Sequence, residues 1–213
     1  MEEIDLVFAL HGSKDLKRNG FEKVKTLVKN IIDNYHISEP GTHVAVLEYS
    51  DRPVIQFRLD EKYSAKAIKN LISKITPSGG NAVVTSEAIK KAGKELFGFS
   101  NGGRPTASKV LVIVTDGSST SKEPLEEAIK PLKKAGVDTF VVSIGGKPSP
   151  DEVEKITGTD NIIKTEDKDN IPEAATTIVI KINKRVNASM SLGLFCCCLC
   201  RRYCYCYCYC YCC

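Results

Sequence analysis

The fold is decided by the stretch Lys109-Val110-Leu111-Val112-Ile113-Val114-Thr115-Asp116-Gly117. After Lys109 it is continuously apolar or β-branched, and it ends in an Asp-Gly pair, which is a turn signal. An apolar run of this length predicts a strand that is covered on both faces, as strands of parallel sheets are. The remainder of the chain is therefore expected to supply further parallel strands and the helices that cover them.

Similar segments lie on both sides of this strand. Buried strands are predicted at 4–10, 43–49 and 137–144, a hairpin strand at 54–57 and an edge strand at 161–163. Apolar residues at helical spacing predict helices at 21–32, 64–75, 85–97, 121–132, 151–156 and 171–182, with Pro131 expected to shorten or kink the fourth. The alternation predicts an α/β, doubly wound, Rossmann-like fold: a mainly parallel six-stranded sheet with one antiparallel edge strand and helices on both faces.

Composition and charge exclude several classes of protein. The formal net charge is only +4, and the 30 Lys and Arg residues are interspersed with 26 Asp and Glu residues, so no nucleic-acid surface is expected. The sequence contains no stretch of about twenty apolar residues, so no transmembrane helix is predicted. No basic and apolar leader opens the chain, so we expect either a protein that is not exported by that route or a sequence that begins inside a longer precursor.

Motifs for catalysis are missing from the sequence. It contains no Gly-x-Gly-x-x-Gly after the first strand and no phosphate-binding loop with Gly-Lys-Ser/Thr. Gly12-Ser13 does not form a nucleophile elbow, and residues 1–195 contain no cysteine. No catalytic residue is therefore predicted, and the chain is expected not to be an enzyme.

Four segments carry a family likeness, in the family's order: 5–10 before a Gly-Ser loop, Gly79-Gly80 before a helix, 110–117, and 137–145. With them, residues 4–183 resemble a von Willebrand factor type A domain, as found in matrilins, collagens and integrin inserted domains. We assign this domain to residues 1–185. The resemblance implies a binding module, and its ligands are expected at the carboxyl ends of the strands.

The family's metal-ion-dependent adhesion site uses Asp-x-Ser-x-Ser in one loop, a Thr in a second and an Asp in a third. By resemblance these positions fall on His11, Ser13 and Asp15, on Val83 with Thr85 two residues later, and on Asp116. Two of the five ligands match, and Asp15 offers a different oxygen donor. The site is thus degenerate, no cofactor is expected, and binding of Mg²⁺ through Ser13, Asp15 and Asp116 is the less favoured alternative.

Three interpretations of His11 remain open. A protonated imidazole near Asp116 could replace the charge of the metal. His11, Asp15 and Asp116 could instead bind zinc. The third interpretation, a structural histidine in a site that has lost its function, is the one we favour.

The composition changes at the carboxyl-terminal end. Residues 186–213 contain all ten cysteines, with alternating Tyr and Cys from Tyr203 to Cys212, and are predicted to be a disordered low-complexity tail. Three origins compete: a crosslinking tail that forms intermolecular disulfides, a palmitoylated anchor beside Arg201-Arg202, and a gene-model artefact from a translated nucleotide repeat. Asn187 begins a glycosylation sequon, which matters only if the chain is exported.

Together these features predict a protein-binding module of an extracellular matrix or cell-adhesion assembly that requires no metal. Its partner is expected to be a protein, such as collagen or another matrix protein. The alternatives are metal-assisted adhesion through Ser13, Asp15 and Asp116, and an intracellular scaffold. The expected location is the extracellular matrix if the sequence lacks its signal peptide, and otherwise the cytoplasm.

Overall fold

A single sheet forms the centre of the computed structural model, which describes residues 3–115, 119–122, 124–144, 156, 161–165 and 170–200. Side chains are described for these residues apart from positions 15, 17, 18 and 189–200. Six strands of the described residues build the sheet: β1 (Ile4–His11), β2 (Thr42–Tyr49), β3 (Pro53–Phe57), β4 (Ser108–Thr115), β5 (Val137–Ile144) and β6 (Ile162–Thr165). Their order is β3-β2-β1-β4-β5-β6. Every neighbouring pair is parallel except β2 and β3, so the predicted sheet is confirmed.

Burial explains why these segments are strands. All eight residues of β1 and all eight of β2 are buried, as continuous apolar runs between two helical layers require. The chain leaves β1 towards β2 on one side and later returns to β4 on the other side. This reversal of strand order brings the loops after β1 and β4 together at the carboxyl edge of the sheet.

Helices cover both faces, as predicted. The described residues contain α1 (Lys17–Ile32), α2 (Ala65–Lys74), α3 (Thr85–Lys91), α4 (Leu125–Lys134) and α5 (Ile171–Cys200). One apolar cluster joins the sheet to α1, α2 and α5, and the other joins it to α3 and α4. None of the helices in the described part of the chain is long and apolar enough to cross a bilayer.

Several helix boundaries differ from the sequence expectation. The α4 helix begins at Leu125, directly after Pro124, and it continues past Pro131 to Lys134. The segment predicted as one helix at 85–97 is α3 followed by a π-helical segment, Ala92–Leu96. The helix predicted at 151–156 lies outside the described residues, apart from Ile156.

The last helix bears on the predicted domain boundary. Because α5 runs without interruption to Cys200, the boundary at residue 185 falls within a helix. Residues 201–213, which include the Tyr-Cys repeat, lie outside the described residues, so their disorder stays a prediction.

Candidate functional site

His11 is the last residue of β1 and lies at the carboxyl edge of the sheet. Only 1% of its surface is exposed, because its imidazole ring packs beside the ring of Tyr49 at the end of the neighbouring β2. The two ring centroids are 5.6 Å apart, and the rings are tilted by 32°. The position that resemblance assigns to the family's leading Asp holds an imidazole that is packed against an aromatic ring.

The loop after β1 is held by backbone hydrogen bonds to the segment between α2 and α3. We call these the first loop (residues 12–16) and the second loop (residues 76–84). Gly79 N–H donates to Gly12 C=O over 2.9 Å, and Lys14 N–H donates to Gly80 C=O over 3.0 Å. Ser13 lies between these two bonds, and only 3% of its surface is exposed. Its hydroxyl has no hydrogen-bond partner among the described residues.

A buried carboxylate, Glu48, lies beneath these two loops. Its Oε1 accepts hydrogen bonds from Ser78 N–H and from Ser78 Oγ, at 3.2 and 2.8 Å. Since the Ser78 hydroxyl proton is used there, the Ser50 hydroxyl is the donor in the 2.5 Å contact between the two serines. Burial raises the pKa of the Glu48 carboxyl above its usual range, although the bonds from Ser78 and the charge of His11 act to lower the pKa.

The missing side chain at Gly12 leaves room for this carboxylate. A Cβ on Gly12 would lie only 2.0 Å from Oε1 of Glu48, which is far inside van der Waals contact. Asp51 has a similar relationship with the second loop: its Oδ1 accepts hydrogen bonds from Asn81 N–H and Ala82 N–H, at 2.8 and 2.7 Å. Its carboxyl group occupies the space that a Cβ on Gly80 would need. Two carboxylates, the buried Glu48 and the exposed Asp51, thus hold the second loop.

Val83 joins the second loop to the third loop (residues 116–124), of which 119–122 and 124 are described. Its N–H donates to Thr120 Oγ1 over 2.8 Å, and its C=O accepts from Thr120 N–H and Ser119 Oγ. The Val83 side chain is 7% exposed and belongs to the apolar cluster beneath α3 and α4. The position that resemblance assigns to a metal-binding Thr therefore provides no side-chain oxygen.

Ser121 makes a second connection between these two loops. Its Oγ accepts from Ser86 N–H at 3.0 Å and donates to Glu87 Oε2 at 2.5 Å. Thr85, the other predicted residue of the second loop, begins α3 and is buried, with 4% of its surface exposed.

The predicted site residues are brought together only in part. His11, Ser13, Val83 and Thr85 all lie at the carboxyl edge of the sheet, whereas Asp116 and the side chain of Asp15 lie outside the described residues. Within the described part of the chain, no group of three His, Cys, Asp or Glu side chains could hold a metal ion. By resemblance, His11 and Val83 stand where the family's site has oxygen ligands, and neither side chain provides an oxygen for a divalent metal. Asn187, the predicted glycosylation residue, is exposed on α5.

Glu48, Ser78 and Asp51 were not predicted as site residues. A glutamate within the mostly apolar strand Thr42–Tyr49 was the one signal that could have identified the first of them. The roles of Ser78 and Asp51 depend on contacts across about thirty residues of chain, which sequence spacing does not reveal.

Several known proteins are similar to this chain in sequence. Matrilin-3 of Mus musculus is 37% identical over 117 residues, and collagen alpha-4(VI) chain of Mus musculus is 31% identical over 132 residues. These matches span 54% and 62% of this chain, but only 24% and 6% of those longer proteins.

Solved structures also resemble the chain. One is proximal thread matrix protein 1 from the mussel byssus, described with a zinc occupied MIDAS motif, where MIDAS is the metal-ion-dependent adhesion site. It has a TM-score of 0.77 and 25% identity, and the match covers 84% of this chain and 45% of that one. The family model of the von Willebrand factor type A domain matches residues 5–177, and the chain therefore belongs to that family.

Proposed function

We propose that the chain is a non-enzymatic protein-binding module of an extracellular matrix or adhesion assembly, and that it binds its partner without a metal ion. The observation that carries the second part is the pair of hydrogen bonds between the backbone of Val83 and Thr120. A metal site in the family's manner would need an oxygen ligand from this position, whereas the side chain of Val83 offers none and its backbone groups bond to Thr120. The matrix proteins among the relatives support the first part and favour it over an intracellular scaffold.

The surface available to a partner is polar and of mixed charge. Exposed residues at this edge include Lys14, Asp51, Arg52, Asn81, Thr120 and Lys122. Asp51 and Thr120 are engaged within the protein, so the cations Lys14, Arg52 and Lys122 are the side chains best placed to pair with acidic groups of a partner. Collagen VI and fibrillar collagen are the partners to test first, because a collagen chain is among the relatives.

Binding of the full chain to immobilised collagen VI and collagen I tests this proposal. We expect the same affinity with Mg²⁺ and with a chelator, and about tenfold weaker binding for Lys14→Glu combined with Arg52→Glu. Lys66→Glu, an exposed residue of α2, is the matched control. Loss of binding with the chelator or with Asp116→Ala would contradict metal independence. Recovery of the tagged product of the full-length transcript from cells rather than from the medium would contradict the location.

Metal-assisted adhesion is the second candidate, and one observation favours it. The buried hydroxyl of Ser13 has no partner among the described residues, and an unsatisfied buried hydroxyl costs free energy that a cation could recover. Ser13, Asp15 and Asp116 would be the ligands, and the zinc occupied site of the byssus protein makes Zn²⁺ a relevant probe beside Mg²⁺. An increase in melting temperature with either ion, abolished by Ser13→Ala, would support this candidate.

A further inference from the structure

A groove of about 750 Å³ lies between α4 and the helical stretch formed by α3 and the π-helical segment. It is bordered by the first residues of β4 and β5, so it lies towards the amino edge of the sheet, opposite the three loops. Its volume is within the range of about 300–1,000 Å³ that is typical of small-molecule sites. The groove is therefore separate from the surface that we assign to a protein partner.

The floor of the groove is apolar. Phe97, Leu132 and Val137 line it, and no more than 9% of the surface of each is exposed. Gly93, within the π-helical segment, allows this packing: a Cβ there would lie 2.5 Å from Cδ1 of Leu132. π-Helical turns interrupt regular helices and often occur at functional sites. The π-helical segment therefore favours a binding site in this groove.

The rim of the groove is cationic. Lys90, Lys94 and Lys109 line it, and the described lining residues include no Asp or Glu. Lys109 lies opposite Asp5 in the register of β4 and β1, but the Asp5 carboxylate already forms an ion pair with Arg104. Glu95, the acidic residue beside Lys94 in sequence, is paired with Lys91. Neither Lys94 nor Lys109 has an ion pair with another described residue, so their charges are available to a ligand.

We propose that this groove binds a small soluble amphiphile with one anionic head, such as a carboxylate or a sulfonate. The apolar body of the ligand lies on Phe97, Leu132 and Val137, and its head pairs with Lys94 and Lys109. An acidic ligand without an apolar body would leave the floor uncovered, and a neutral apolar ligand would leave the lysines unpaired. The inference does not depend on the proposed function, because the two surfaces lie at opposite edges of the sheet.

The test uses the full chain, under reducing conditions, with two probes: fluorescent 8-anilinonaphthalene-1-sulfonate, and decanoate below its micellar concentration. We expect one sulfonate probe bound per chain and its displacement by decanoate but not by decanol. Lys94→Glu should weaken binding about tenfold, as expected when a charge-assisted contact is lost. Lys133→Glu is the matched control, because Lys133 is exposed on α4 but does not line the groove.

A second variant tests the groove without disturbing the core. Ala135 is exposed directly after α4 and lines the groove, so Ala135→Leu should narrow the groove and weaken binding of the sulfonate probe at an unchanged melting temperature. Equal loss with Lys94→Glu and Lys133→Glu would show general electrostatic attraction and would overturn the proposal. So would displacement by decanol as effective as displacement by decanoate. Binding to anionic vesicles without binding of monomeric decanoate would assign the lysines to a membrane surface instead.

Discussion

Asp5 and Arg104, which lie 99 residues apart in the chain, form a buried ion pair at the amino edge of the sheet. The Asp5 carboxylate is fully buried and accepts from the backbone N–H and from Nε of Arg104, at 2.7 and 2.9 Å. A further guanidinium nitrogen of Arg104 donates to the Ile4 C=O over 3.0 Å. One arginine thus anchors the loop before β4 to the first residues of β1.

Removal of the Arg104 guanidinium should lower the stability of the fold. Arg104→Met would leave the Asp5 carboxylate buried with no opposite charge, and we expect the free energy of unfolding to fall by about 3 kcal/mol. Urea denaturation measures this, with Arg58→Met as the control because that residue is exposed. A change below about 0.5 kcal/mol, as for ordinary surface substitutions, would show that the pair does not support the fold.

Glu48 should make the stability of the domain depend on pH. Its pKa is raised by burial, so the folded state keeps the proton to a higher pH than the unfolded chain does. The resulting stabilisation is complete below the unfolded pKa and is lost as the pH rises through the folded pKa. Glu48→Gln, which imitates the protonated form, should therefore exceed the wild type in stability at pH 8 and lose this advantage towards pH 4. A stability difference that is constant across this range, measured by urea denaturation, would argue against the raised pKa.

Restoring two oxygen ligands should create a metal response. His11→Asp with Val83→Thr replaces the imidazole and the buried valine by the residue types of the family's site. The single substitution Val83→Thr would bury a hydroxyl in the apolar cluster and lower the free energy of unfolding by about 1–3 kcal/mol. Millimolar Mg²⁺ should raise the melting temperature of the double variant and leave that of Val83→Thr unchanged. An equal shift in the wild-type chain would mean that the existing site already binds the ion.

Lys25 should stabilise the packing of α1 against α2. Its Nζ donates to the C=O groups of Ser73 and Ile75, at 3.2 and 3.3 Å, and so satisfies carbonyls at the carboxyl end of α2. Lys25→Met should lower the free energy of unfolding by about 1–2 kcal/mol, since these bonds involve a charged donor. Lys66→Met, at an exposed position of α2, provides the comparison in thermal denaturation. Equal effects of the two substitutions would rule out a specific role for these carbonyls.

The fold could be read from the sequence because its strands are continuous apolar runs that local pattern identifies. Even the β-branched stretch at 176–180 is helical, as its spacing predicted, since Ile178 and Val179 pack into the core. The start of α4 was misplaced at Ser121 because its hydroxyl bonds to Ser86 and Glu87 instead of capping a helix.

Resemblance to the family predicted His11, Ser13, Val83 and Thr85 as site residues, and the structure brings these four to the carboxyl edge of the sheet. Their role in binding stays a prediction. Glu48 was missed because its role depends on Ser78, thirty residues later, and on the missing Cβ of Gly12. Such long-range partners are set by tertiary packing, which one sequence does not display.

The central place of β1 has a consequence for biosynthesis. Ile4 lies opposite Ser108, so one edge of the first strand cannot be completed until β4 has been translated. At ribosomal rates of about 5–20 residues per second, that interval is roughly five to twenty seconds. During this time an apolar strand with an open edge is exposed to other nascent chains, which makes it a natural substrate for chaperones.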